Sequence, residues 1–351
     1  MDSVITIMFA LSFRDARMTP RYDIYAIGNA LVDTEVEVSD QFLERMGIGK
    51  GMMTLVDEAR QQELVTALNS DGRIHRRASG GSACNTVVAA RYFGARTFYA
   101  CRVADDDTGH FFVDDLRAAG VDTNMSGSKG AGTSGKCLVM ITPDAERTMN
   151  TFLGISETVG DEAVIEEAVA ASRFAYIEGY LVTSPSARAA AIRLRETARR
   201  HGVRTALTFS DPAMVKFFAD GLRDMLGDGV DLLFCNETEA LEFSGAEDLD
   251  QAITILRRHA RALVITRGAR GARLWDGEQH IDIDPFPVRA VDTNGAGDMF
   301  AGAFLYALSQ DHDFATAGRL ASAAAARVVS DFGPRLPAAE HLAIRRDILG
   351  H

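Results

Sequence analysis

The amino-acid sequence predicts a three-layer α/β/α fold, in which helices cover both faces of one mostly parallel sheet and a small β-rich lid lies beside it. The first observation is a repeated alternation of short apolar, strand-like runs with amphipathic helical segments, which is typical of successive βα units. The second is that residues 30–56 and 132–153 interrupt this alternation with short β-branched runs. The third is composition, because 47% hydrophobic and 25% charged residues are ordinary values for a globular chain.

The predicted main sheet begins with the apolar run from Tyr22 to Gly28, which ends in a glycine turn. From residue 57 onward helices and strands alternate, starting with the helical segments DEARQQELVTAL and SACNTVVAARYF. Several helices open at Asp, Ser or Thr and close at Gly, which are the usual capping signals. The chain ends in Ala- and Gly-rich helices and a last helix over 337–349. We interpret residues 18–351 as a single domain and residues 1–17 as a disordered extension, with Met18 as an alternative start.

The two β-rich stretches are predicted to form one lid. The segments LVDTEVEV and MMTLV alternate in part between apolar and polar residues, as strands with one solvated face do. The segments KCLVMIT and RTMNTFL are joined by a PDAE turn, which predicts a hairpin.

Charge and cysteine usage exclude several classes of partner. The chain has 49 acidic residues and 37 Lys and Arg, so its net charge of −12 repels nucleic acid and anionic membranes alike.

The apolar run near the N-terminus has about ten residues, short of the roughly 20 that span a bilayer, and it lacks the features of a signal peptide. Widely spaced cysteines without a metal-binding pattern argue against zinc and disulfides and favour a reducing cytoplasm. These cysteines are Cys84, Cys101, Cys137 and Cys235.

The strongest candidate site is the turn Gly295-Ala296-Gly297-Asp298, which precedes the helical run MFAGAFLYAL. Such a turn presents free backbone N–H groups and the positive end of the helix dipole, which together bind anions. The Asp298 carboxylate, in the first helical turn, is placed to take a proton from an attacking hydroxyl group. The alternative interpretation is an acidic residue that only stabilises the helix N-terminus.

The stretch DTNGAGD resembles the C-terminal signature of the ribokinase-like, or PfkB, family of carbohydrate and nucleoside kinases. The resemblance covers nearly the whole chain after Tyr22, because four further motifs follow in the family's order. It implies the ribokinase-like fold and ATP-dependent phosphorylation of an alcohol group. It also implies that Asp298 is the catalytic base and that Gly295, Ala296 and Gly297 form the anion hole.

The substrate implied by the resemblance is a nucleoside. The stretch GNALVD resembles adenosine kinases, and an Asp there suits the cis-diol of a ribose because a carboxylate accepts two hydroxyl hydrogens. Ala30 replaces the Pro common in adenosine kinases, and Asn294 replaces the usual Thr, so a sugar kinase for ribose or fructose stays an alternative. The predicted substrate contacts, which include the glycine turn GGSACN, are Asn29, Asp33, Gly80, Gly81, Ser82 and Asn85.

The remaining motifs imply ATP and Mg²⁺, and leave K⁺ undecided. NETE resembles the family motif that organises magnesium and phosphate, with Glu239 acting on Mg²⁺ through water. TRGARGA resembles the nucleotide-binding turn, and the hairpin arginine of PDAERTMNT matches one that steadies the transferring phosphate. Asp292 and Thr293 stand where relatives hold a monovalent cation. The residues assigned to ATP and its phosphates are Asn236, Glu239, Thr266, Gly268, Gly271 and Arg147.

Two rival interpretations are a P-loop and a non-catalytic sensor. The segment from Gly130 to Cys137 nearly matches a P-loop, but Cys137 lacks the hydroxyl group that would bind Mg²⁺, and a strand-like run follows where a P-loop requires a helix. A sensor that binds a nucleoside or sugar would need neither Asp298 nor the glycine turn before it. The oligomeric state stays open between a monomer and a homodimer formed through the lid.

Overall fold

A mostly parallel sheet forms the centre of the molecule in the computed structural model, which describes residues 20–351 except 72, 126–129 and 145. The predicted extension 1–17 and the alternative start at Met18 lie outside the described residues. Over the described ranges this sheet has nine strands in the order β14-β13-β12-β11-β10-β9-β1-β5-β6. They are β1 (Tyr22–Ile27), β5 (Thr97–Ala100), β6 (Asp122–Thr123), β9 (Ser172–Ile177), β10 (Arg204–Thr208), β11 (Val230–Asn236), β12 (Ala260–Thr266), β13 (Ala272–Trp275) and β14 (His280–Ile283).

Strand pairing in the main sheet follows from the βα units. The strands from β12 to β6 all pair in parallel. The pairs β12–β13 and β13–β14 are antiparallel, and no α-helix separates these three strands along the chain. The helices are α1 (Asp40–Arg45), α2 (Glu58–Asp71), α3 (Ser82–Phe93), α4 (Asp107–Ala118), α5 (Glu166–Ala170), α6 (Pro185–Arg200), α7 (Pro212–Leu226), α8 (Glu237–Ser244), α9 (Leu249–Leu256), α10 (Ala296–Ser309), α11 (Phe314–Val328) and α12 (Ala338–Leu349).

Apolar side chains cover both faces of the main sheet, as the alternation predicts. One core joins alternate β1 side chains such as Ile24 to α3, α4, α10 and α11. The other joins the intervening β1 side chains such as Tyr25 to helices α5 to α9. Because successive strand residues point to opposite faces, the near-continuous apolar runs bury both sides. The predicted three-layer α/β/α fold is therefore confirmed.

A second sheet of five strands lies beside the first within the described residues, in the order β3-β8-β7-β2-β4. One of its faces packs on α1 and α2 through a small core that includes Val36, Leu64 and Met140. The sequence analysis placed α2 in the main alternation and predicted no strand over Arg73–Gly80, and the structure corrects both. The strands are β2 (Leu31–Glu37), β3 (Met53–Leu55), β4 (Arg73–Gly80), β7 (Gly135–Ile141) and β8 (Arg147–Phe152).

The structure bears on the P-loop interpretation, and it also shows where membrane-spanning helices are absent. The segment from Gly130 to Cys137 runs directly into β7 with no helix after it, so it does not have the strand–loop–helix context that a P-loop needs. Within the described parts of the chain, no helix is both long and apolar enough to cross a bilayer.

The crossing of α3 and α10 depends on Gly302. A Cβ added at Gly302 would lie 2.5 Å from the carbonyl oxygen of Thr86 and 2.9 Å from the Cβ of Ala89. Only glycine lets the two helices approach this closely. The crossing brings the N-terminal turns of both helices together.

We predict that Gly302→Ala lowers the free energy of unfolding by about 1–3 kcal/mol, because the added methyl group overpacks the helix crossing. Urea denaturation followed by circular dichroism measures this change. In an unobstructed helix the same substitution would stabilise the protein by about 0.5–1 kcal/mol, so a stabilised variant would contradict the close approach.

Candidate active site

A cavity of about 770 Å³ lies between the two sheets, at the carboxyl edge of the main sheet. Side chains from the ends of five main-sheet strands line it, as expected for an open α/β sheet, whose ligands bind at this edge. They are Asn29 after β1, Glu178 after β9, Thr208 on β10, Asn236 on β11 and Thr266 on β12.

Asp298 lies on this cavity in the first turn of α10. The Ser82 hydroxyl donates to its Oδ1 over 2.6 Å, and the Asn85 amide Nδ2 donates to its Oδ2 over 3.1 Å. Burial raises the pKa of Asp298 to about 6, although both hydrogen bonds favour the charged form. Asp298 is therefore an oriented carboxylate whose pKa is suited to taking a proton near neutral pH.

The turn before Asp298 has the geometry of an anion site. Gly295 has φ +74°, in the left-handed region that favours glycine. The Ala296 N–H donates to the Thr293 carbonyl oxygen over 3.3 Å. Among the described residues, the N–H groups of Gly297 and Asp298 have no such backbone acceptor, so they are the free amides of the first turn.

The glycine turn after β4 is held by Glu178, which sequence analysis did not identify. Glu178 accepts hydrogen bonds from the Asn29 N–H at 3.2 Å and from the Ala83 N–H at 2.8 Å. It is almost fully buried, and burial raises its pKa to about 8. Glu178 thus ties the end of β1 to the start of α3, the two predicted substrate segments.

Asp33 lies on the cavity in β2, two residues beyond the position where Leu31 pairs with Gly80. Burial raises the pKa of the Asp33 carboxyl group to about 7, while the charge of Arg335 acts in the opposite direction. Asp33, Asn29, Gly81, Ser82 and Asn85 line one cavity together with Asp298. Gly80 does not line it and instead ends β4.

Asn236 and Glu239 lie at the opposite end of the cavity, where β11 meets α8. They form a capping box: Glu239 Oε2 accepts the Asn236 N–H at 2.8 Å, and Asn236 Oδ1 accepts the Glu239 N–H at 2.8 Å. Glu239 Oε1 also accepts from the Asn236 amide at 2.9 Å. Burial raises the pKa of Glu239 to about 7. Since local donors already engage both oxygens, the pair fits Mg²⁺ only through water.

No group of three metal-ligating side chains occurs among the residues that the structure describes.

Arg147 reaches across from β8 to the main body of the protein. Its guanidinium lies 2.6 Å from Asp292 Oδ2 and 3.5 Å from Glu35 Oε1, with all three side chains nearly buried. Asp292 also accepts from the Asn294 N–H at 3.0 Å and the Gly333 N–H at 2.8 Å. Because the Asp292 carboxylate is engaged on both oxygens, these residues do not offer it as a free ligand for K⁺. Thr293 lies exposed on the cavity rim.

Only part of the predicted nucleotide-binding turn lies at the cavity. Thr266 and Gly268 line the cavity, but Gly271 does not. Gly271 closes the turn instead, since its carbonyl oxygen accepts from the Arg267 N–H at 2.8 Å.

The inner face of the second sheet gives the cavity an apolar wall. Alternate residues of its strands point into the cavity, and most of them are hydrocarbon or sulfur side chains. Asp33 and Arg147 are the charged exceptions on this face among the cavity-lining residues of these strands. The apolar members are Leu31, Met53, Leu55, Cys137, Val139 and Met149, with Leu153 just beyond β8.

Arg335 is the second functional candidate that sequence analysis missed. It lies in the loop between α11 and α12, is 9% exposed, and contacts Asn85 and Ser79. Its loop carries no recognisable motif. Glu178, in contrast, directly follows a buried parallel strand, a position where ligand-binding residues are expected.

Comparisons with known proteins show what this chain is similar to. A family model described as pfkB family carbohydrate kinase matches residues 48–341. The solved structure of adenosine kinase from Sinorhizobium meliloti is 34% identical, with a TM-score of 0.85 over 93% of this chain and 99% of that chain. A probable sugar kinase from Rhizobium etli CFN 42 is 33% identical, with a TM-score of 0.86 over 93% and 98%. Adenosine kinase from Saccharomyces cerevisiae is 27% identical over 334 residues, 90% of this chain and 96% of the yeast protein.

These similarities confirm the ribokinase-like fold that the motifs implied. The matched relatives include both nucleoside and sugar kinases, so they establish the reaction class without the acceptor. Since the family model matches most of the chain, this protein is a kinase that belongs to the pfkB family of carbohydrate kinases.

Proposed function

We propose that this kinase transfers the γ-phosphoryl group of ATP to the primary hydroxyl group of a nucleoside, adenosine, to give AMP and ADP. The observation that carries the choice of a nucleoside is the apolar wall of the cavity. A purine base presents flat apolar faces that such a wall removes from water. A free sugar presents hydroxyl groups on all sides, and an apolar wall would leave them unpaired at a cost of about 1–3 kcal/mol each.

Asp298 acts as the general base in this proposal. The acceptor hydroxyl loses its proton to the Asp298 carboxylate as its oxygen bonds to the γ-phosphorus. The bond between that phosphorus and the bridging oxygen breaks, and ADP leaves with the electron pair. Ser82 and Asn85 fix the carboxylate, so no reorientation is needed as the proton moves.

The glycine turn stabilises the charge on the transferring group, whereas Arg147 is engaged by Asp292 and Glu35 in this structure. The free N–H groups of Gly297 and Asp298 point out of a helix N-terminus, where donors are fixed before the reaction and need no reorganisation. Mg²⁺ bound with the nucleotide would neutralise phosphate charge, and Asn236 and Glu239 would hold it through water. A monovalent cation has no assigned role at Asp292, because Arg147 already neutralises that carboxylate.

The second sheet has a role in excluding water. Water that reached the γ-phosphate would compete with the acceptor, so a kinase must keep its site dry. Glu35 and Arg147 of the second sheet join Asp292 of the main body in a buried ion-pair cluster. We propose that this sheet is the lid.

A free sugar is the second candidate acceptor, because the chain is also similar to a probable sugar kinase from Rhizobium etli. Asp33 and Asn29 would serve a ribose whether or not a base is attached. The choice between a nucleoside and a free sugar therefore depends on contacts with the apolar wall and not on contacts at the ribose end of the cavity.

Asp298→Asn should lower kcat by about 10²–10⁴-fold, because the amide cannot accept the proton. Nucleoside binding should persist, since the substituted side chain keeps the shape of the site. ADP release and calorimetric titration with adenosine measure the two quantities. Lys136→Ala is the matched control and should retain turnover. Equal turnover in wild type and Asp298→Asn would overturn the role of Asp298, and binding by wild type without ADP release would identify a sensor.

Activity should fall in acid in two stages. The pKa of Asp33 is raised to about 7 and that of Asp298 to about 6, and both groups work as carboxylates. As pH decreases, kcat/KM should therefore decline through the first value and more steeply below the second. In Asp33→Asn the upper stage should shrink without vanishing, because Glu239, whose pKa is also raised to about 7, still titrates there. A profile that stays flat through both values would contradict this assignment.

Met149→Gln should raise KM for adenosine by about tenfold or more, because an amide buried against the base without a partner costs about 1–3 kcal/mol. Turnover of free ribose should not change. Met52→Gln is the matched control, because Met52 is 58% exposed and does not line the cavity. Steady-state kinetics with both acceptors measure the effect, and an equal change in KM for ribose and adenosine would argue against a base at this wall.

A further inference from the structure

The Asn85 side chain connects Asp298 to a buried arginine from the far end of the chain. Arg335 Nε donates to Asn85 Oδ1 over 2.8 Å, and Asn85 Nδ2 donates to Asp298 Oδ2 over 3.1 Å. Arg335 and Asn85 are 9% and 5% exposed. Since water does not compete freely at this depth, the two hydrogen bonds fix each other's geometry.

The chemistry of the three groups allows one orientation of the amide. A guanidinium has only donors and an ionised carboxylate has only acceptors. The amide oxygen must therefore face Arg335, and the amide N–H₂ must face Asp298. Without Arg335 the Asn85 amide would be free to rotate and could present its oxygen to the carboxylate.

Other contacts hold Arg335 in place. Its Nη1 donates to Ser79 Oγ over 3.0 Å and lies 3.5 Å from Asp115 Oδ2, and its Nη2 donates to Cys84 Sγ over 3.2 Å. The guanidinium is thus fixed by β4, α3 and α4 before any substrate binds.

We propose that Arg335 is a positioning residue for the proposed phosphoryl transfer, which orients Asn85 so that Asn85 holds Asp298 in its ionised, proton-accepting form. This inference rests on the proposed role of Asp298. It adds a residue that does not line the cavity and acts through a neighbour. It also links the loop between α11 and α12 to the reaction.

Electrostatics act in the same direction. The charge of Arg335 lowers the pKa of Asp298, against the larger effect of burial. The other titratable groups that interact with Asp298 are the Asp33 and Glu178 carboxyl groups and the Tyr176 and Tyr180 phenols. Arg147 also lowers the pKa of Asp33, but Arg335 is the cation that acts on Asp298 itself, so removal of Arg335 should shift the titration of Asp298 upward.

The test is the pH profile of kcat/KM in Arg335→Gln. Because Arg335 also lowers the pKa of Asp33, the profile is measured in an Asp33→Asn background, where we expect the lower acid limb, that of Asp298, to move upward by on the order of one pH unit. The loss of activity should therefore be largest in acid and should shrink as pH rises, mainly in kcat, with a small change in KM. A merely structural role would lower activity by the same factor at every pH.

Arg335→Lys is the second variant, because it keeps the positive charge and fills the site if Arg335→Gln does not fold. A lysine lacks the planar fork, so it should shift the acid limb less than glutamine does. Arg345→Gln is the matched control. Arg345 also ties the C-terminal segment to α3, donating to the Phe93 carbonyl oxygen over 2.8 Å, but at the end of α3 remote from Asp298.

Arg345→Gln should lower thermal stability without moving the acid limb. If the folded Arg335 variants keep the wild-type pH profile while Asp298→Asn is inactive, the proposed role of Arg335 is wrong and the role of Asp298 stands. Full activity in Asp298→Asn would instead overturn the proposed function itself.

Discussion

The two hydrogen bonds that hold the Asp298 carboxylate are the interaction on which the rest of the site depends. They join side chains separated by 216 and 213 residues in sequence, because Ser82 and Asn85 begin α3 while Asp298 begins α10. The close crossing at Gly302 makes this meeting possible. A looser crossing would separate the substrate turn from the base, and a carboxylate without donors would be held protonated by burial.

Charge in the cavity is balanced by a few buried cations. Asp33, Glu178, Glu239, Asp292 and Asp298 are acidic, and burial raises the pKa of Asp33, Glu178, Glu239 and Asp298. Arg147 neutralises Asp292 from the second sheet. Arg335 donates a hydrogen bond to Asn85 in the first turn of α3. A triphosphate entering this cavity adds more negative charge, so the free amides before α10 and the Mg²⁺ that accompanies the nucleotide have a clear physical role.

Much of the fold could be predicted from the sequence, because the alternation of buried strands and amphipathic helices is a local signal. Helix α2 was misplaced since an amphipathic helix does not reveal which sheet it covers. Strand β4 was missed because its sequence, RIHRRASG, is too polar to be recognised as a strand. Its partner β2, to which it pairs antiparallel, is remote enough that only the tertiary structure reveals the pairing.

The candidate site was predicted where motifs are contiguous in sequence. The GAGD turn, GGSACN and NETE all place residues on one cavity. Arg335 was missed because its importance comes from a contact with Asn85, 250 residues away. Gly271 and Gly80 were assigned to ligands because glycine turns look alike in sequence, whereas in the structure these two shape the backbone beside the cavity.

The most direct test of the central claim is to identify the product that wild-type protein makes from Mg-ATP and an equal mixture of adenosine and ribose, by phosphorus NMR. The account predicts a phosphate ester on the 5′ oxygen of adenosine, with ADP formed in equal amount. Ribose phosphate as the main product would contradict the assignment of the apolar wall to a base. Phosphate released to water, with neither acceptor modified, would contradict the claim that the Asp298 site directs phosphoryl transfer to an alcohol.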